Sequence, residues 1–421
     1  MTKIQKSILA LLSLTACGLL SLIGWLGYQI YQDVWTAPLG SPIAMPTSTW
    51  HLPATWTFTP SILTPTPTVI SPSALPPEDT PSPASFSPTA DTLSPTPAIP
   101  LEALLPTSTP LPIASAAIQG PPQCNGPQVL TILAVGSDAR GNTYLYGLAD
   151  VIRIVRVDFV NVKVTILEFP RDLWVEIPDI SDNLNGQDHE KLNQAYLYGN
   201  PGYGYYEGPG AGPGLLARTL ALNFGLTPDR YVGVNMRTFE KIVDAVGGIE
   251  VYLPNGIDGR TAEDRSARLV FPPGYQTLNG ERALTLARIR NEGVFERAEN
   301  QNLVLCALQK KLTQPTVVMR IPALIQSFQG AVQTDLTPEQ ITQLACLGTK
   351  LEAADITFVS FPRELFTGTR VYDPVFKGRV FVWDVDFAVL RDYVARFSLG
   401  TWPAPATETG DEPPANSATC E

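Results

Sequence analysis

Residues 129–138 read VLTILAVGSD, and residues 151–172 read VIRIVRVDFVNVKVTILEFPRD. The first is a short apolar run, Val129–Val135, broken by Gly136, Ser137 and Asp138. That pattern predicts a buried strand followed by a loop. In the second, Val151–Asp158 alternates in polarity, and Val162–Phe169 is again strand-like, closed by Pro170, Arg171 and Asp172. Asn161 in the connection predicts a hairpin. Downstream, the spacing predicts helices over Pro213–Phe224, Thr238–Val246, Asn279–Arg288 and Asn300–Leu312. Gly247 and Gly248 stop the second of these, and Ile249–Leu253 returns as a strand. Thr337 and Pro338 look like an N-cap with proline at the first helical position, opening a helix to about Leu351. Ile356–Ser360 is a further strand. Strands interleaved with helices define an α/β class: a layered α-β-α domain around a mixed central sheet, over residues 123–400.

The flanks differ sharply from this domain. Residues 1–6 carry Lys3 and Lys6, and no charge follows from Ser7 to Tyr31. Such a run exceeds the roughly 20 residues a helix needs to cross a bilayer. It is expected to be a signal-anchor helix over 7–31, with the lysines holding the N-terminus in the cytoplasm. Trp25, Tyr28, Tyr31 and Trp35 would lie at the outer interface. A cleaved signal peptide and a lipoprotein signal ending at Cys17 are the competing readings. Residues 32–122 are rich in Pro, Ser and Thr; they cannot form a core and are expected to be a disordered linker acting as a spacer. Residues 401–421 resemble them and are expected to be a flexible tail. The domain would thus sit outside the cell on a single-pass anchor.

Composition narrows the chemistry. The chain has 29 Lys and Arg against 40 Asp and Glu, a net charge of -11, which argues against a nucleic-acid partner. With only two histidines, His51 and His189, neither an HExxH zinc motif nor a secure Ser-His-Asp triad is available. Phosphoryl transfer needs little beyond positioning and charge neutralisation. No CxxC motif is present, which argues against a zinc site. The favoured disulfides are Cys306 with Cys346 and Cys124 with Cys420, with buried free thiols as the alternative.

Asp138 closes one strand and Asp150 precedes the next, at loops where α/β sheets bind ligands. Two carboxylates meeting there suit Mg²⁺, while isolated turn aspartates are the simpler explanation of each. Arg171, Arg288 and Arg290 fall at element ends, with Arg297 seven residues on. Arginine grips phosphate oxygens bidentately, although helix-end charge compensation explains any one of them equally well.

Taken in order, several segments resemble the LytR-CpsA-Psr family. They are Ile132–Arg140, the Phe-Pro-Arg-Asp-Leu of residues 169–173, Lys191–Tyr196, Val243–Ile249, Ala283–Arg290, and Arg297 with Gln301. The resemblance implies a Mg²⁺-dependent glycopolymer phosphotransferase. Its substrate would be a glycopolymer on a polyprenyl-pyrophosphate carrier, and its acceptor a cell-wall glycan. Asp138 and Asp150 match the metal-holding positions. Arg140, Arg171, Lys191, Arg288, Arg290, Arg297 and Gln301 match the pyrophosphate grip. Asp138, Asp150, Arg171 and Arg288 would be catalytic. An apolar tunnel for the lipid is also implied, with Leu215, Leu216, Leu220 and Leu222 as lining or simply as core. Leu148 and Asn300 stand where the family has arginine, and Gly293 and Val294 where it has an aspartate. These departures keep open the alternative of a non-catalytic carrier-binding or scaffold protein.

Overall fold

The computed structural model describes residues 20–29, 32, 35–41, 120–141, 143–290, 294–318, 324, 328, 330–403 and 417–420. Most of the expected span at 7–31, nearly all of the linker and residues 404–416 of the tail lie outside that set. Among the described residues, no helix is long and apolar enough to cross a membrane.

The strands are β1 (Val129–Ser137), β2 (Ala149–Asp158), β3 (Lys163–Glu168), β4 (Trp174–Glu176), β5 (His189–Lys191), β6 (Arg230–Asn235), β7 (Ile249–Leu253), β8 (Ile257–Asp258), β9 (Val270–Phe271), β10 (Gly274–Leu278), β11 (Gln333–Thr334), β12 (Ile356–Ser360), β13 (Thr367–Asp373), β14 (Gly378–Asp384) and β15 (Ser417–Thr419). The helices are α1 (Leu192–Gly199), α2 (Ala211–Phe224), α3 (Met236–Ala245), α4 (Gly280–Arg288), α5 (Val294–Leu312), α6 (Pro315–Val318), α7 (Pro338–Gly348) and α8 (Phe387–Leu399). Seven strands of the described residues form one sheet in the order β11-β6-β1-β2-β3-β12-β15. It is mixed: β1 runs parallel to β6 and β3 parallel to β12, while β1–β2 and β2–β3 are antiparallel.

Strand alternation divides the core. Leu133 and Val135 of β1, Ile152 and Ile154 of β2 and Leu167 of β3 pack under α1, α2 and α8. Leu130, Ile132 and Val157, with intervening side chains, meet Leu347 of α7 on the other side. A separate cluster joins α3, α4 and α5 to the β7–β10 hairpin through Val243, Val251, Leu286 and Val304. Helix starts follow local chemistry. Asn279 caps α4 by accepting from the Arg282 N–H at 3.0 Å, and Thr337 and Gln340 form a reciprocal capping box on α7.

Three expectations are corrected. The disulfides are Cys124–Cys346 and Cys306–Cys420, the reverse of the favoured pairing. Cys124 lies in a turn held under α7, where Gln343 donates to the Asn125 carbonyl at 2.8 Å. Cys420 follows β15, whose antiparallel pairing with β12 carries it to Cys306 on α5. The far end of the tail expected to be flexible is therefore a sheet strand. At the other end, Trp35 packs edge-on against Tyr144 at 5.1 Å between ring centres, and Leu39 is buried in the main core. Trp35 therefore contacts the folded domain, although its sequence position suited a lipid interface.

Peptide mapping without reduction is expected to recover Cys124 joined to Cys346 and Cys306 joined to Cys420. Since closing a long loop stabilises a fold by about 2–4 kcal/mol, Cys346→Ser should lower stability by that order in a denaturant titration. A map showing Cys306 joined to Cys346 would contradict the register of β15.

Candidate active site

Asp138 leaves the end of β1 and is fixed by two reciprocal contacts with Leu148. Its N–H donates to the Leu148 carbonyl at 3.1 Å, and its Oδ1 accepts from the Leu148 N–H at 2.6 Å. The loop between them closes tightly at Gly147, where a Cβ would come within 2.1 Å of Ser137 Oγ. Because Ser137 pairs with Ala149, the turn places Asp150 at the same sheet edge as Asp138. Burial raises the Asp138 carboxyl above its ordinary range and the Asp150 charge adds to this, against the Leu148 N–H.

Asp150 is the hub. Arg171, just beyond β3, bonds to Asp150 Oδ1. Arg297, from α5, donates to the Asp150 backbone carbonyl at 2.8 Å and lies 3.6 Å from Oδ2. Arg171 also reaches Asp172 Oδ2 at 3.2 Å, and Lys191 Nζ donates to Asp172 Oδ1 at 2.8 Å. Burial opposes the Arg171 charge, but the two carboxylates outweigh it and raise its pKa. Burial lowers that of Arg297, with the charges of Arg171 and Arg290 adding to the effect against Asp150.

The remaining residues expected at the site gather around this hub. Arg140 is exposed, and its charge acts on Asp138. Arg288 and Arg290 are exposed at the end of α4 and just beyond it. Gln301 lies one turn beyond Arg297, where its amide donates to the Ala287 carbonyl at 3.3 Å and accepts from Arg153 at 3.2 Å. Two buried residues were missed by sequence reasoning. Asp172 couples Arg171 to Lys191, and its signal was the acid in the Pro-Arg-Asp turn. Arg153 was visible only as a charge inside an apolar strand.

A cavity of ≈ 300 Å³ opens at this cluster. Asp138, Asp150, Arg288 and Arg297 share its lining with apolar side chains of β6, α3, α4 and α5, among them Val234, Phe239, Leu284, Val304 and Leu308. Leu215, Leu216 and Leu220 are buried on α2 in the core of the opposite sheet face, so they do not line it. The departures have structural roles as well. Leu148 is half-buried against the main core, and Asn300 donates to the Ile289 carbonyl at 3.4 Å.

A charged cluster at one sheet edge thus opens into an apolar cavity of an α/β domain. Residues 114–379 match the model of the LytR_cpsA_psr family, and the chain belongs to that family. It is 30% identical to the regulatory protein MsrR of Staphylococcus aureus over 230 residues, covering 52% of this chain and 62% of that protein. It is 27% identical to the polyisoprenyl-teichoic acid–peptidoglycan teichoic acid transferase TagV of Bacillus subtilis over 209 residues, 49% of each chain. The matches thus span half to three-fifths of these relatives. Among solved structures, protein gbs0355 of Streptococcus agalactiae superposes with a TM-score of 0.51 at 20% identity, covering 65% of this chain and 88% of that one.

Beside Lys191, Glu190 is fully buried and accepts from Gln187 at 2.7 Å and Gln194 at 3.1 Å. Burial, with the adjacent Asp373 carboxylate, pushes Glu190 up to about 8. A carboxyl raised in the fold stabilises it below its unfolded value and loses that contribution as pH climbs through the folded one. Thermal stability is therefore expected to fall between about pH 5 and pH 8. Glu190→Gln should flatten that slope in melts across the range; an unchanged slope would mean Glu190 is ionised throughout.

Proposed function

We propose that this chain is a membrane-anchored, extracytoplasmic phosphotransferase that moves a glycopolymer from a polyprenyl-pyrophosphate carrier to a cell-wall acceptor. The observation that carries this reading is the convergence of Asp138, Asp150, Arg171, Arg288 and Arg297 beside an apolar cavity. The cavity suits a polyprenyl chain and the arginines suit its pyrophosphate. The transferase name of one relative points the same way. The acceptor oxygen would attack the polymer-bearing phosphorus. The bond to the bridging oxygen breaks, and polyprenyl monophosphate leaves with its charge neutralised by Arg171, Arg288 and Arg297. Arg140, Lys191, Arg290 and Gln301 would complete the grip or hold its members in place.

The residues present fit Mg²⁺. Asp138 is a raised carboxylate beside a second carboxylate, and a cation would relieve both its burial and the repulsion. Among the described residues no three His, Cys, Asp or Glu side chains gather at one point. The pair would thus supply two ligands and leave the others to water and phosphate oxygens, as Mg²⁺ commonly requires. Bound there, Mg²⁺ would add positive charge to the pyrophosphate site.

A second reading, a carrier-binding protein without catalysis, is favoured by Leu148 and Asn300, which supply no charge where the family has arginine. The full-length chain in vesicles with a polyprenyl-pyrophosphate oligosaccharide, a peptidoglycan acceptor and Mg²⁺ distinguishes the two. Polyprenyl monophosphate measured by mass spectrometry should appear, and fall about 10²–10³-fold in Asp150→Ala, the loss typical of removing an electrostatic stabiliser. Tight donor binding without release would select the second reading.

A further inference from the structure

Arg153 lines the apolar cavity and also a second one of ≈ 420 Å³, enclosed by β3, β12, β15 and α5. It is 3% exposed. Its cross-strand partner is Glu168, at 2.9 Å, and its guanidinium also donates to Asn302 at 2.6 Å and sits 5.5 Å from the Phe358 ring centre. Its buried Nε has no hydrogen-bond partner. Such an orphan donor is uncommon in a native interior.

The second cavity also approaches the phosphate site. A narrow cleft lined by Asp150, Arg171 and Arg297 shares Glu168, Ala298, Ser360 and Phe361 with it. Its charges do not favour an anion: Arg153 and Arg363 are set against Glu168, Glu299 and Glu364. Amide and hydroxyl groups of Asn302, Ser360 and Ser417, with the Phe358 and Phe361 rings, complete the lining. Hydrogen-bonding groups interleaved with aromatic faces suit a neutral, hydroxyl-rich ring.

We propose that this cavity seats the acceptor sugar and that Glu168 receives the proton of its attacking hydroxyl. The inference rests on the transferase reading. As the sugar oxygen bonds to phosphorus and the bridging oxygen departs with the polyprenyl phosphate, the hydroxyl proton passes to the Glu168 carboxylate, which lines both cavity and cleft. The wall facing α5 is β15, so the Cys306–Cys420 disulfide fixes the width of the site.

The test measures sugar binding apart from turnover. Equilibrium dialysis of a labelled peptidoglycan tetrasaccharide is run with the full-length chain, with Ala418→Trp, which fills the cavity from the exposed side of β15, and with Asn302→Ala. Thermal melts identify any variant that does not fold. Binding to the wild type that weakens at least tenfold in a folded variant supports the site, even if no transfer occurs and the transferase reading falls. No binding to the wild type, or equal binding to all three, overturns it. At saturating sugar, Glu168→Gln should lower the transfer rate on the order of 10²-fold or more, the usual worth of a positioned proton acceptor. Transfer at the wild-type rate would overturn the proton assignment.

Discussion

Asp150 joins three segments that reach it by different routes. Its own strand supplies the carboxylate, the turn after β3 supplies Arg171, and α5 supplies Arg297 to both its side chain and its backbone carbonyl. Charges partly withdrawn from water are tolerated because each has an opposite partner, and removing one partner would leave the others uncompensated. The cluster thus couples the sheet edge to the helix that walls both cavities. An anionic ligand would offer Arg171 and Arg297 new partners and free Asp150 to meet a cation. The resting ion pairs therefore keep the site charged and ordered before anything binds.

Much of this was legible in the sequence because local rules governed it. The β1 run, the β2–β3 hairpin and α2, α3, α4 and α7 follow from alternation, helical spacing and caps at Asn279 and Thr337. The carboxylates and arginines stood out because they sat at element ends. The local β13–β14 hairpin and α8 went unread, and the rest of what escaped depended on distant pairing. Gln333–Thr334 and Ser417–Thr419 are too short to register as strands alone and exist through β6 and β12. The disulfides could not be paired because nothing local says that β15 returns to α5. Arg153 escaped for a related reason: its meaning comes from Glu168 across the ladder and Asn302 on a helix far along the chain.

The two faces of the sheet have separate duties. Under α1, α2 and α8 the packing is continuous, and Tyr196, Leu215 and Leu216 are fully buried. On the other face, α3, α4 and α5 form their own cluster with the β7–β10 hairpin and leave space between themselves and the sheet. A cavity is tolerated there because the continuous packing of the opposite face supplies the cohesion.

The docking of Trp35 and Leu39 changes what the proline-rich stretch can do. Leu39 is buried in the main core, and Cys124 is bound to α7 of the same body through its disulfide with Cys346. With Leu39 and Cys124 both held to one body, the number of residues between them does not set how far that body stands from whatever precedes Trp35.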